Sequence, residues 1–118
     1  MKRAVPSRKA LLAVLLLAGA CASPKTIYPW GSYEQSVYNV CHGVTAADLT
    51  QDVQLLSNEV DRTRVEGRKV APGVHAHLGY LYFMAGNSGA ALAHFNAEKE
   101  LYPESATFID GLVRRMKS

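Results

Sequence analysis

From Ser32 onward, apolar side chains recur at helical spacing and each run is closed by Gly or Pro, a pattern that admits little except helices. Ser32-Tyr33-Glu34-Gln35 has the S-x-x-Q form of a capping box, which predicts a helix start with Ser32 as its cap. Tyr33, Val37, Val40 and Cys41 then share one face, and Gly43 is the stop. Thr45 with Asp48 repeats the start signal, and Leu49, Val53, Leu56 and Val60 form a stripe running to about Glu66, before Gly67. Arg68 to Gly73 reads as a connection. Val74 to Ala85 is helical again, with His75, Ala76, Leu78, Leu81, Tyr82 and Ala85 alternating with more exposed positions until Gly86-Asn87. Ala90 to Leu101 makes a fourth helix, stopped by Tyr102-Pro103. The last, roughly Ser105 to Met116, is expected to bury Phe108, Ile109 and Leu112. Its end carries Arg114, Arg115 and Lys117, where cations suit the helix dipole. No strand pair is visible, so the expected class is all-α.

The stretch Pro72 to Glu104 resembles a tetratricopeptide repeat, with Leu78-Gly79, Tyr82, Gly86, Ala91, Phe95 and Pro103 at the repeat's signature places. The logic is steric. Gly79 and Ala91 let two antiparallel helices approach, Tyr82 and Phe95 fill the space beside the contact, Gly86 turns the chain and Pro103 ends the hairpin. His75 stands where a Trp is common, and Glu98 where a small Ala usually lets the next repeat dock. One repeat cannot bury its own faces. Residues 32–66 would supply a degenerate hairpin upstream and the last helix a cap, giving a short right-handed stack of about five helices over residues 32–118. The resemblance places Tyr80, Phe83 and Met84 toward the concave groove, where tetratricopeptide domains bind extended peptides; packing on the upstream helices is the alternative. Trp30, Tyr33 and Tyr38 are a second candidate surface, an aromatic lip, or else a clasp closing the first helix.

Residues 1–20 are read as a leader. Lys2, Arg3, Arg8 and Lys9 precede an unbroken apolar run, Ala10 to Ala20, that ends in small residues. The run is well short of the roughly 20 residues a bilayer span needs. Leu17-Ala18-Gly19-Ala20-Cys21 resembles the lipobox of bacterial lipoproteins, in which the cysteine becomes the first mature residue and carries diacylglycerol. Ala18 stands where that motif usually has Leu. The competing cut, after Ala22 at Ala20-Cys21-Ala22, would release a soluble periplasmic protein. In the lipoprotein reading residues 21–31 are a lipidated tether, and Ala22 in place of Asp matches sorting to the outer membrane, periplasmic face. All four leader cations leave with it, so the mature chain holds nine Lys/Arg against ten Asp/Glu, and the formal charge of +3 belongs to the leader. No basic stripe for nucleic acid remains. About 98 residues are enough for one small domain. Cys41 loses Cys21 as a partner and is read as a small buried hydrophobe, with an intermolecular disulfide as the alternative.

Tyr28-Pro29-Trp30-Gly31-Ser32-Tyr33 with Tyr38, Pro72-Gly73 with Leu78 to Tyr82, and Glu98-Lys99 with Leu101 to Ser105 together resemble an uncharacterised family of small Gram-negative lipoproteins. Its members tend to be encoded beside lipoproteins similar to the curli secretion channel. The resemblance implies a place in an envelope assembly, with such a channel-like lipoprotein or another envelope protein as partner. It implies no activity.

The chemistry-bearing residues add little. His42, His75, His77 and His94 are read as scattered surface histidines; His75 and His77, two apart on a helix, point to different sides and cannot chelate together. No C-x-x-C, H-E-x-x-H, G-x-S-x-G or phosphate loop occurs, so neither metal, cofactor, small-molecule substrate nor catalysis is expected. Glu59, Asp61 and Glu66 with Arg62, Arg64, Arg68 and Lys69 are read as a solvated helix face. The expected function is a non-catalytic adaptor, or a structural accessory subunit that stabilises a lipoprotein channel.

Overall fold

The computed structural model describes residues 26–118 together with Arg3. The rest of the leader, the lipidation candidate Cys21 and the start of the tether lie outside the described residues. Five helices follow one another: α1 (Tyr33–His42), α2 (Ala46–Val65), α3 (Val74–Met84), α4 (Ser88–Leu101) and α5 (Ala106–Lys117), with a 3-10 turn at Pro103–Ser105 before α5. No strand occurs among the described residues, and none of their helices is long and apolar enough to cross a membrane.

The helix starts use different chemistry. At α2 the capping box forms as expected: Thr45 Oγ1 accepts from the Asp48 N–H, and the Asp48 carboxylate accepts from the Thr45 N–H. At α1 the expected box is absent. Ser32 makes no side-chain cap; instead its backbone N–H donates to both carboxylate oxygens of Glu59, at 3.0 Å each, on α2. Glu59 therefore belongs to an inter-helix latch rather than to the solvated face. α4 begins two residues before Ala90 because Asn87 caps it, accepting from the Ala90 N–H at 3.0 Å. Gly86, at φ +80°, reverses the chain between α3 and α4.

Two apolar clusters hold the helices. The first joins Leu56 and Val60 of α2, Val70 and Ala71 of the connection, and Val74, Leu78 and Leu81 of α3. The second joins Ala91 and Phe95 of α4 to Ile109 of α5. Tyr82 packs against both, and its hydroxyl lies 3.2 Å from Ser57 Oγ on α2. The buried Tyr102 pins the connection, donating from its hydroxyl to the Val70 carbonyl at 2.6 Å beneath the Lys69 ammonium.

The α3–α4 contact has the steric form expected of the small residues. A Cβ on Gly79 would stand 2.7 Å from Phe95 Cε1 and 3.0 Å from the Ala91 carbonyl oxygen. Gly79→Ala is accordingly expected to destabilise by about 1–3 kcal/mol through overpacking, despite alanine's better helix propensity. Urea melts of the two proteins check this; a Gly79→Ala variant as stable as the parent would contradict the close contact.

Two burial expectations are corrected. Cys41 is exposed; its neighbour Val40 is the residue that packs against the first cluster. Phe108 is 68% exposed: α5 packs through Ile109, and Phe108, one residue back, falls beside the contact rather than in it.

Candidate functional site

α1, α3 and α5 together wall an apolar trough of about 330 Å³. Tyr33 and Val37 come from α1, Gly73, Ala76, His77 and Tyr80 from α3 and its cap, and Phe108 and Leu112 from α5. The small residues Gly73 and Ala76 leave the space that the aromatics enclose. A Cβ on Gly73 would meet the Tyr33 hydroxyl at 3.2 Å, and Gly73 also has a φ of +87°. Burial, then the Glu98 carboxylate, pushes the Tyr33 hydroxyl above its ordinary range.

Of the residues expected in a groove, only Tyr80 and Tyr33 line this trough. Phe83 packs on the second cluster and lines a small cleft with Leu92 and Met116, while Met84 is exposed at the α3 end. Tyr80 and Phe83 are neighbours on α3, three residues apart, but α5 meets them with different residues: Phe108 and Leu112 stand by Tyr80, Val113 and Met116 by Phe83. Trp30 and Tyr33 do meet, with ring centroids 5.7 Å apart, and Tyr28 meets Trp30 edge-on. The Tyr33 ring in turn stands edge-on to His77. Tyr38 does not join them; it is exposed and stacked on His42. Tyr28, Trp30 and Tyr33 thus close the first helix onto the fold, and Tyr33 alone of them lines the trough. Nothing in the spacing points to Phe108, Leu112 and Val37 as trough residues. The helical period assigns Phe108 to the core, and only its neighbour Ile109 belongs there.

Against the surface reading, His75 is buried and His77 and His94 are half-buried. His75 Nδ1 and His94 Nδ1 lie 2.9 Å apart, and His94 stacks on Tyr82. Burial, then His94, then Arg64 push His75 down to about 4. His94 and His77 are also lowered by burial, with Asp61 and Asp52 opposing. An unfolded chain binds a proton at His75 near its ordinary 6.5, whereas the fold resists until about 4. This stability is therefore complete above the unfolded value and is lost as pH falls from there toward 4. Between pH 7 and pH 5 the loss is about 1 kcal/mol once solvent screening is allowed for, or about 5 °C in Tm. Thermal melts at the two pH values, on the parent and His75→Gln, check it: the variant should show the smaller difference.

His77 Nε2 lies 2.9 Å from Ser36 Oγ. A serine and a histidine in contact invite a nucleophile reading, but Ser36 is only 1% exposed. No acyl group reaches that oxygen in this fold, and the pair serves to tie α1 to α3. Among the described residues no three His, Cys, Asp or Glu side chains are grouped to hold a metal ion.

Residues 27–112, which include every residue lining the trough, match the family model described as a domain of unknown function, DUF4810. The chain belongs to that family. Neither a curated protein nor a solved structure matches it. In this DUF4810 domain the trough is an apolar concavity that three helices build jointly, and it is the candidate site.

Proposed function

We propose that this DUF4810 protein is a non-catalytic adaptor, anchored by lipid on Cys21 to the periplasmic face of the outer membrane, that docks another envelope protein. The observation that carries the reading is the trough. Three helices from different parts of the chain converge to hold about 330 Å³ open between aromatic walls. A concavity of that make-up accepts side chains of a partner. The resemblance of residues 72–104 to a tetratricopeptide repeat supports the same reading, since such hairpins are commonly interaction scaffolds. The lipobox-like run ending at Cys21, with Ala22 after it, supports the anchor and its destination. The partner suggested by the lipoprotein resemblance is a channel-like lipoprotein similar to that of curli secretion.

Anchorage is tested by growing cells with radioactive palmitate. The parent is expected to take up label and to fractionate with the outer membrane, and Cys21→Ser to lose both. An unlabelled parent whose mature end begins at Ser23 would instead establish the soluble alternative.

A further inference from the structure

The trough continues past the α5 rim. Phe108 and Leu112 also border a second hollow, of about 290 Å³, which lies on the face of α5 itself over Gly111 and is flanked by Arg114 and Arg115. The Arg114 guanidinium lies back over Gly111, with Nη2 3.8 Å from where a Cβ would be. The charges here are one-sided. Among the described residues neither arginine forms an ion pair, while the acid of α5, Asp110, is held by Lys99 at 3.0 Å. A chain anchored in the trough therefore passes two unneutralised guanidiniums.

Resting on the adaptor reading, the geometry points to the chemistry of the partner: a short protein segment that seats an aromatic or aliphatic side chain between Tyr80 and Phe108 and sets Asp or Glu carboxylates against Arg114 and Arg115. Arginine takes a carboxylate through paired N–H donors, and an apolar anchor beside such pairs is the usual make-up of a binding hot spot. A second copy of this chain suits the surface poorly, because a two-fold contact would lay the arginines against each other. A bilayer also suits it poorly, since a flat surface does not fill a trough walled by three helices.

The test is photocrosslinking in intact cells that make the full chain. A photoreactive phenylalanine replaces Thr107, an exposed residue on the wall of the arginine hollow, or in separate cells Val65, which is 88% exposed on α2. The Thr107 site is expected to capture a protein segment with more Asp/Glu than Lys/Arg, absent from the Val65 adducts. Arg114→Glu with Arg115→Glu should cut that yield roughly ten-fold or more, and Phe108→Ala should also lower it, with circular dichroism unchanged in both. Adducts that survive the charge reversal, a segment without acidic excess, or adducts only with lipid or a second copy would each overturn the proposal. Protein adducts that ignore the arginines yet disappear in Tyr80→Ala would leave the adaptor reading intact. Absence of protein adducts from Thr107 and from the same probe at Tyr80 would overturn both.

Discussion

Phe95→Ala is expected to cost about 3–5 kcal/mol, the largest effect of any single truncation in this domain. The ring is 1% exposed, sits against Gly79 and packs in the cluster that holds Ile109 of α5. Gly79 has no side chain to move into the vacated space, so a cavity persists. A domain of this size has only about 5–15 kcal/mol to lose. Because Tyr82 belongs to both clusters, the loss should spread to α2 and α1. Urea unfolding followed by far-UV circular dichroism and by the fluorescence of Trp30, the sole tryptophan, should move to lower denaturant together. A loss below about 1 kcal/mol, or a Trp30 transition that stays in place, would contradict this packing.

Glu98→Ala is the second large effect. Glu98 is 3% exposed, and its carboxylate accepts from the Gly73 N–H at 2.7 Å and the Ala76 N–H at 3.2 Å. α3 has no cap of its own, since Gly73 lacks a side chain and no acid occupies the first turn. The free N–H groups and positive dipole end of α3 are met by a carboxylate delivered from α4. Removing it leaves both donors unsatisfied and is expected to cost about 2–3 kcal/mol. Glu98→Gln, which keeps one acceptor oxygen, should lose about half as much. Chemical denaturation of the two variants separates the possibilities, and a Glu98→Ala variant within about 0.5 kcal/mol of the parent would mean the cap is idle.

The helices are legible in the sequence because their signals are local. Periodic apolar residues, Thr45 with Asp48, and the stops at Gly43, Gly67 and Gly86 all act within a turn or two of where they stand. The polar contacts that join helices are not legible, for the same reason. Glu59 reaches Ser32 from 27 residues away and Glu98 reaches Gly73 from 25. Each is a glutamate on an otherwise ordinary helix face, indistinguishable by spacing from a solvated one. Glu98 reads as a departure from the repeat, and it is the departure that caps α3. The histidines escape the spacing likewise, because His75 and His94 become a pair only when α3 and α4 fold together. The site itself is half legible. Tyr80 and Tyr33 stand out as aromatics, but whether Phe83 or Phe108 joins them depends on how α5 is rotated, and periodicity does not set that angle.

Docking of another envelope protein in the trough is tested by purifying crosslinked complexes from intact cells. Tyr80→Ala with Phe108→Ala removes both rims while leaving the two buried clusters whole. The protein captured by the parent should disappear from this variant, with Tm within about 5 °C of the parent. The same partner recovered in equal yield from a folded double variant would contradict it.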